Sequence, residues 1–144
     1  MSVSARGFFY VQQVEQHARR VLDGCLQIDG LTAGQYMALS LVVHHEPVSS
    51  ADLARRAHIT PQSMGEFIKV LESKGLLERR IDVHNRRAIL LESTPKGRKV
   101  LVRSEARVDQ AERGFFDCLS DEEYAHLRQL LHRVRSNAGS VTAL

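Results

Sequence analysis

The sequence predicts a mainly helical α+β fold of about six helices and one two-stranded hairpin. Three observations predict it. Apolar residues recur at steps of three and four through most of the chain, hydroxyl residues stand ahead of most repeats, and the period changes only between Leu76 and Ser93. A length of 144 residues, 43% apolar and 26% charged with 9 Gly and 3 Pro, is the balance of a folded chain, and a single domain over 1–144 is expected.

The first helix carries Val11, Val14, Ala18, Val21, Cys25 and Ile28 on one stripe, with Gln12, Gln13, Glu15, Gln16, Arg19 and Arg20 opposite and Asp29-Gly30 as the stop. Thr32-Ala33-Gly34-Gln35 has the form of a capping box and opens a second helix through Tyr36, Leu39, Leu41, Val42 and Val43, apolar on most sides and therefore central. His44, His45 and Glu46 end it before Pro47. Ser49 caps a short third helix, Ser50 to Ala57, facing inward through Leu53, Ala54 and Ala57. After the break at His58-Ile59, Thr60-Pro61 starts a fourth helix, since proline at the first helical position lacks only an N–H that would be unpaired anyway. Met64, Phe67, Ile68 and Leu71 form its inward face; Gln62, Ser63, Glu66 and Lys69 face away.

Gly75 stands where a left-handed residue ends that helix. Strands are predicted over Leu76 to Ile81 and Ala88 to Ser93, joined by the polar tip Asp82 to Arg87. Thr94-Pro95 opens a fifth helix whose seam is Leu101, Ser104, Val108, Ala111, Phe115 and Cys118. Ser120-Asp121-Glu122-Glu123 is a second capping box, starting a sixth helix with Tyr124, Leu127, Leu131 and Val134 on one side.

Helix, short helix, tight turn, helix and basic-tipped hairpin make the layout of a winged helix-turn-helix, with Thr60 to Lys74 as the helix that enters a major groove. Charge supports the placement. Between Ser50 and Arg103, 12 Lys and Arg stand against 6 acids, a net +6, whereas the remainder has 8 basic and 11 acidic residues, a net −3. Such a basic module on a mildly acidic scaffold suits phosphate binding.

Other functions find less support. No apolar run approaches the roughly 20 residues of a membrane span, and Met1 to Tyr10 lacks a secretory pattern, so a cytoplasmic protein with no membrane partner is expected. Cys25 and Cys118 form neither a C-x-x-C pair nor a disulfide framework, and the seven histidines lack ligand spacing, so no metal and no cofactor are expected. No phosphate loop, nucleophile elbow or metal box indicates an enzyme.

The runs Leu53-Ala54-Arg55-Arg56-Ala57, Thr60-Pro61-Gln62-Ser63-Met64 and Leu71-Glu72-Ser73-Lys74-Gly75-Leu76-Leu77 resemble the MarR family of bacterial transcription regulators. So do Leu31 to Tyr36, Asp82 to Arg87 with Thr94 to Gly97, and Leu119 to Glu123, which extends the likeness to about Leu31 to Val134. The resemblance implies a homodimer joined by terminal helices, about 4–30 and 95–136, which presents winged modules over about 32–94 to a pseudo-palindromic double-stranded DNA site. It implies half-sites about 10 bp apart and a repressor released by an oxidant or a small aromatic or phenolic effector.

Carried over by position, Thr60, Gln62, Ser63 and Lys69 face the major groove or its phosphates, and Arg86 and Arg87 sit on the wing. Arg87 takes the last place of the family's Asp-x-Arg motif and is expected in the minor groove; Asn85 replaces the Asp, so a carboxylate that would orient it is absent. Glu66 also departs from the family, which often has a basic or small polar residue there. An acid facing phosphate weakens binding unless it reads a cytosine amino group. These departures keep open a winged-helix protein-interaction module without DNA binding. Phe8, Phe9, Tyr10, Tyr36 and Met37 are candidates for an effector pocket, or equally for plain core. Cys25 is a candidate redox switch against a stronger reading as a small core residue.

Overall fold

The computed structural model describes residues 6–85 and 88–139. The helices are α1 (Gly7–Leu26), α2 (Ala33–His45), α3 (Ser50–Ala57), α4 (Pro61–Ser73), α5 (Pro95–Phe115) and α6 (Asp121–Ala138), and strands β1 (Leu77–Ile81) and β2 (Ile89–Ser93) lie between α4 and α5. The hydroxyl caps fall where the sequence places them. Thr32, Ser49, Thr60 and Ser120 each accept a backbone N–H from the residue three positions on, and the two predicted capping boxes close through Gln35 and Glu123. The stop after α1 has more structure than a bare turn: Gln27–Asp29 form one 3₁₀ turn before Gly30 takes φ +71°. Asp23 near the end of α1 then accepts the N–H of Ala33 at 2.9 Å, supplying an N-terminal donor of α2 with a partner ten residues back.

The chain divides into two compact units, Met1–Ala111 and Glu112–Leu144. In the first, Leu26, Leu31, Leu39, Val42, Leu53, Met64, Ile68, Leu71, Leu77, Leu91 and Leu101 are buried in one core, so each α-helix from α1 to α5 and both strands contribute. The second helix is central as expected: Leu39 and Val42 are buried, and Tyr36, Leu41 and Val43 pack around the cluster. Gly75, at φ +72°, ends α4 by letting its own N–H reach Glu72 and that of Leu76 reach Leu71, both at 2.9 Å.

β1 and β2 pair antiparallel from Leu77↔Ser93 to Ile81↔Ile89, each strand starting one residue later than predicted. Leu76 is occupied in ending α4, and Ala88 in the tip, where it donates to Asn85 at 2.8 Å and accepts from Asp82 at 3.0 Å. A pairing that the sequence does not announce is Val48 with Leu91, through hydrogen bonds of 2.8 and 3.2 Å. It ties the α2–α3 connection to the hairpin.

In the second unit, Phe116 meets Phe115 edge-on and Tyr124 at a tilt, both with ring centroids 4.9 Å apart, and the Tyr124 hydroxyl donates to Glu112 at 2.6 Å. That bond raises the phenol above its ordinary pKa, because it favours the protonated form. Cys118 does not complete the α5 seam. The helix ends at Phe115, and Cys118 is exposed in the turn that follows.

Candidate nucleic-acid interface

The geometry of α4 follows from its two faces. Met64, Ile68 and Leu71 are buried, which fixes the rotation of the helix, and Gln62, Glu66 and Lys69 consequently lie along the exposed side at i, i+4 and i+7. Ser63 is half-buried at the flank. Thr60 sits just ahead of the helix, exposed but engaged: its hydroxyl accepts the Ser63 N–H at 3.1 Å and donates to Ser63 Oγ at 3.0 Å. It therefore sets the start of α4 rather than standing free. The turn that aims α4 hinges on His58, whose φ of +55° places a non-glycine residue in the left-handed region at the end of α3.

The wing has fewer free cations than its composition suggests. Arg79 pairs with Glu72 at 2.8 Å, and Arg80 pairs across the hairpin with Glu92 at 2.7 Å. On α3, Arg55 pairs with Asp52 at 2.5 Å. Arg56, exposed on α3, and Lys69 have no ion pair among the described residues. Sequence reasoning passes over Arg56; the signal for it is its place outside the inward stripe of Leu53, Ala54 and Ala57. At the wing tip the Asp82 carboxylate accepts the His84 N–H at 2.9 Å and so shapes the turn. Arg86 and Arg87 lie outside the described residues.

The other candidate residues separate. Tyr10 is exposed on α1, with Phe8 and Phe9 beside it, while Tyr36 and Met37 are half-buried on α2 and pack against the core. Cys25 is half-buried on α1, its thiol donating to Leu22 O at 3.2 Å, and burial pushes that thiol above its usual pKa. A raised pKa keeps the sulfur protonated, opposite to what a reactive thiolate needs. Among the described residues, no three His, Cys, Asp or Glu side chains are grouped to hold a metal ion, and no helix is long and apolar enough to cross a membrane.

Residues 31–89, from just ahead of α2 to the first residue of β2, match the model of the MarR family. The HTH-type transcriptional repressor Rv2887 of Mycobacterium tuberculosis is 30% identical over 108 residues, covering 75% of this chain and 78% of that protein. The chain belongs to the MarR family. The structure of a probable transcriptional regulator from Pseudomonas aeruginosa superposes on this MarR chain with a TM-score of 0.86 at 25% identity, covering 92% of this chain and 98% of that one. Rv2887 in complex with DNA gives 0.74 at 25% identity, over 91% and 98%. Rv2887 in complex with p-aminosalicylic acid gives 0.71 at 26% identity, over 90% and 98%. The MarR assignment agrees with the architecture expected from the sequence, six helices and a two-stranded wing.

Proposed function

We propose that this MarR protein is a sequence-specific double-stranded DNA-binding regulator that acts as a repressor in the cytoplasm and is not an enzyme. The observation that carries the reading is α4 itself, capped by Thr60, anchored through Met64, Ile68 and Leu71, and presenting Gln62 and Lys69 outward. A capped, rotationally fixed helix is what a major groove admits. Thr60 and Ser63 hold the leading end, Gln62 meets base edges, Lys69 meets phosphate, and Arg86 and Arg87 meet the DNA from the wing, Arg87 in the adjacent minor groove. The solved complex of the relative Rv2887 with DNA supports the DNA-binding reading.

The protein works as a homodimer on a pseudo-palindromic operator. Its support is apolar surface that a single chain leaves in water: on α1 Val11, Val14 and Val21 are 60%, 48% and 39% exposed, and on α6 Leu131 and Val134 are 51% and 61% exposed. Both stripes follow helical spacing, and a second copy would bury them. Release by a small aromatic acid is supported by the relative's complex with p-aminosalicylic acid, with Tyr10, Tyr36 and Met37 as the residues to probe. The single-domain boundary over 1–144 belongs to the same reading.

Fluorescence anisotropy with the duplex upstream of the protein's own reading frame, titrated across salt, tests it. Binding that weakens steeply and linearly in log salt is expected. Absence of binding to that duplex and to a random-sequence pool at low salt would leave the interaction-module reading in its place.

A further inference from the structure

We infer that Glu66 is a specificity residue that reads the 4-amino group of a cytosine in each half-site of the operator. The inference rests on the DNA-binding reading above and deepens it. Glu66 lies one turn after Gln62 and three residues before Lys69, on the side of α4 opposite the buried Met64, Ile68 and Leu71. That is the middle of the surface a groove would meet. Nothing in the fold employs its carboxylate: it is exposed, and among the described residues it enters no hydrogen bond and no ion pair, not even with Lys69 one turn away. Of the other acids in the basic module, Asp52, Glu72 and Glu92 each hold an arginine, and Glu78, which like Glu66 holds none, stands on β1 rather than on the outward face of α4.

An unpaired carboxylate at the centre of a polyanion-binding face repels phosphate, so its presence needs a donor on the groove floor. The base edges limit the choice. Guanine shows two acceptors in the major groove and thymine an acceptor and a methyl group, so both repel or ignore a carboxylate. Adenine offers its N6 amine beside the N7 acceptor, which opposes a second carboxylate oxygen. Cytosine offers an amine with no acceptor on its own edge. Glu66 thus selects for cytosine and also rejects sequences that place acceptors at that position, which adds negative discrimination.

Selection of bound duplexes from a random pool with the wild type, Glu66→Gln and Glu66→Ala tests this. The wild type should select cytosine at one symmetry-related position in each half-site. Glu66→Gln should shift that position to adenine, the base a carboxamide matches, and leave the others unchanged, while Glu66→Ala should lose the preference there. An operator with 2-pyrimidinone at that position lacks only the exocyclic amine. It should bind the wild type about 5- to 30-fold more weakly than the cytosine operator, and Glu66→Ala equally with both. Identical base preferences for the wild type and Glu66→Gln overturn the inference while leaving DNA recognition standing. No enrichment by any of the three proteins overturns both.

Discussion

The carbonyl oxygen of Leu76 lies so close to Gly97 that a Cβ on Gly97 would stand 2.1 Å from it. The carbonyl cannot retreat, because it accepts the N–H of Thr94 at 3.1 Å, and the Thr94 hydroxyl is itself bonded to the carbonyl of Gly75 at 2.6 Å and to the Gly97 N–H at 3.0 Å. The first turn of α5 is thereby pressed against the chain that leaves α4. Gly97→Ala forces backbone apart in a buried place and should cost about 3 kcal/mol. Urea unfolding at fixed protein concentration measures it; a loss below about 1 kcal/mol would show that α5 can shift freely.

Asp29 fastens the 3₁₀ turn that follows α1 to α5. Its side chain is only 4% exposed and accepts from Arg107 Nε and Ser104 Oγ, both at 3.1 Å, with Arg103 Nε at 3.5 Å. The arginines reach solvent and can rehydrate, but Ser104 is fully buried and would lose its partner. Asp29→Ala should therefore destabilise by about 2 kcal/mol, mostly through that stranded hydroxyl. The double variant with Ser104→Ala should cost less than the sum of the two single changes, and strict additivity would deny the coupling.

Local chemistry makes most of this fold legible in the amino-acid order, and long-range contacts make up most of the remainder. The caps at Thr32, Ser49, Thr60 and Ser120 and the stop at Gly75 involve neighbours within a few residues, so their residue types announce them. The Asp29 clamp joins residues 75 and 78 positions apart, and the Val48 bridge to Leu91 follows a stretch with no strand pattern, so neither leaves a local mark. The candidate site divides in the same way. Which side of α4 faces outward follows from the period of Met64, Ile68 and Leu71, but the commitment of Arg79 to Glu72 and Arg80 to Glu92 depends on how the hairpin folds back. Counting charges therefore overstates the cations free to meet DNA. Cys118 fails as a seam residue because its heptad spacing persists beyond the point where α5 stops.

The two thiols should differ in reactivity. Cys118 is exposed, whereas Cys25 is half-buried, hydrogen-bonded to Leu22 O and raised in pKa chiefly by desolvation. Iodoacetamide at pH 8 should label Cys118 first, and the rate at Cys25 should continue to climb above the usual thiol range. The unfolded chain ionises this thiol more readily, so its contribution to folding is complete below the ordinary thiol pKa and declines as pH rises toward the raised value. Mild peroxide that oxidised Cys25 ahead of Cys118 would instead favour a redox switch.

Thr60 combines a cap with a place at the proposed interface, and two substitutions separate these roles. Thr60→Ala removes the acceptor for the Ser63 N–H and should cost about 1 kcal/mol of stability. Thr60→Ser retains the hydroxyl and should keep both stability and operator affinity. If the serine variant folded like the wild type but bound DNA poorly, the threonine methyl group would have to meet the DNA directly.

Gly65 sits inside α4 beside Glu66, where a glycine is about 1 kcal/mol less favourable than alanine. Nothing among the described residues requires it: beyond its own turn of helix a Cβ there would meet no atom within 4 Å, and its backbone is not in the left-handed region. Packing therefore does not account for the residue, and the remaining demand on this helix is the approach of the groove. Gly65→Ala should raise stability by about 1 kcal/mol, or roughly 3 °C in the unfolding midpoint, while lowering operator affinity. Opposite signs in the two measurements are the expected result, because a methyl group that the folded chain accommodates freely would still hold the helix off the DNA. A rise in stability with unchanged affinity would place the groove surface away from this residue.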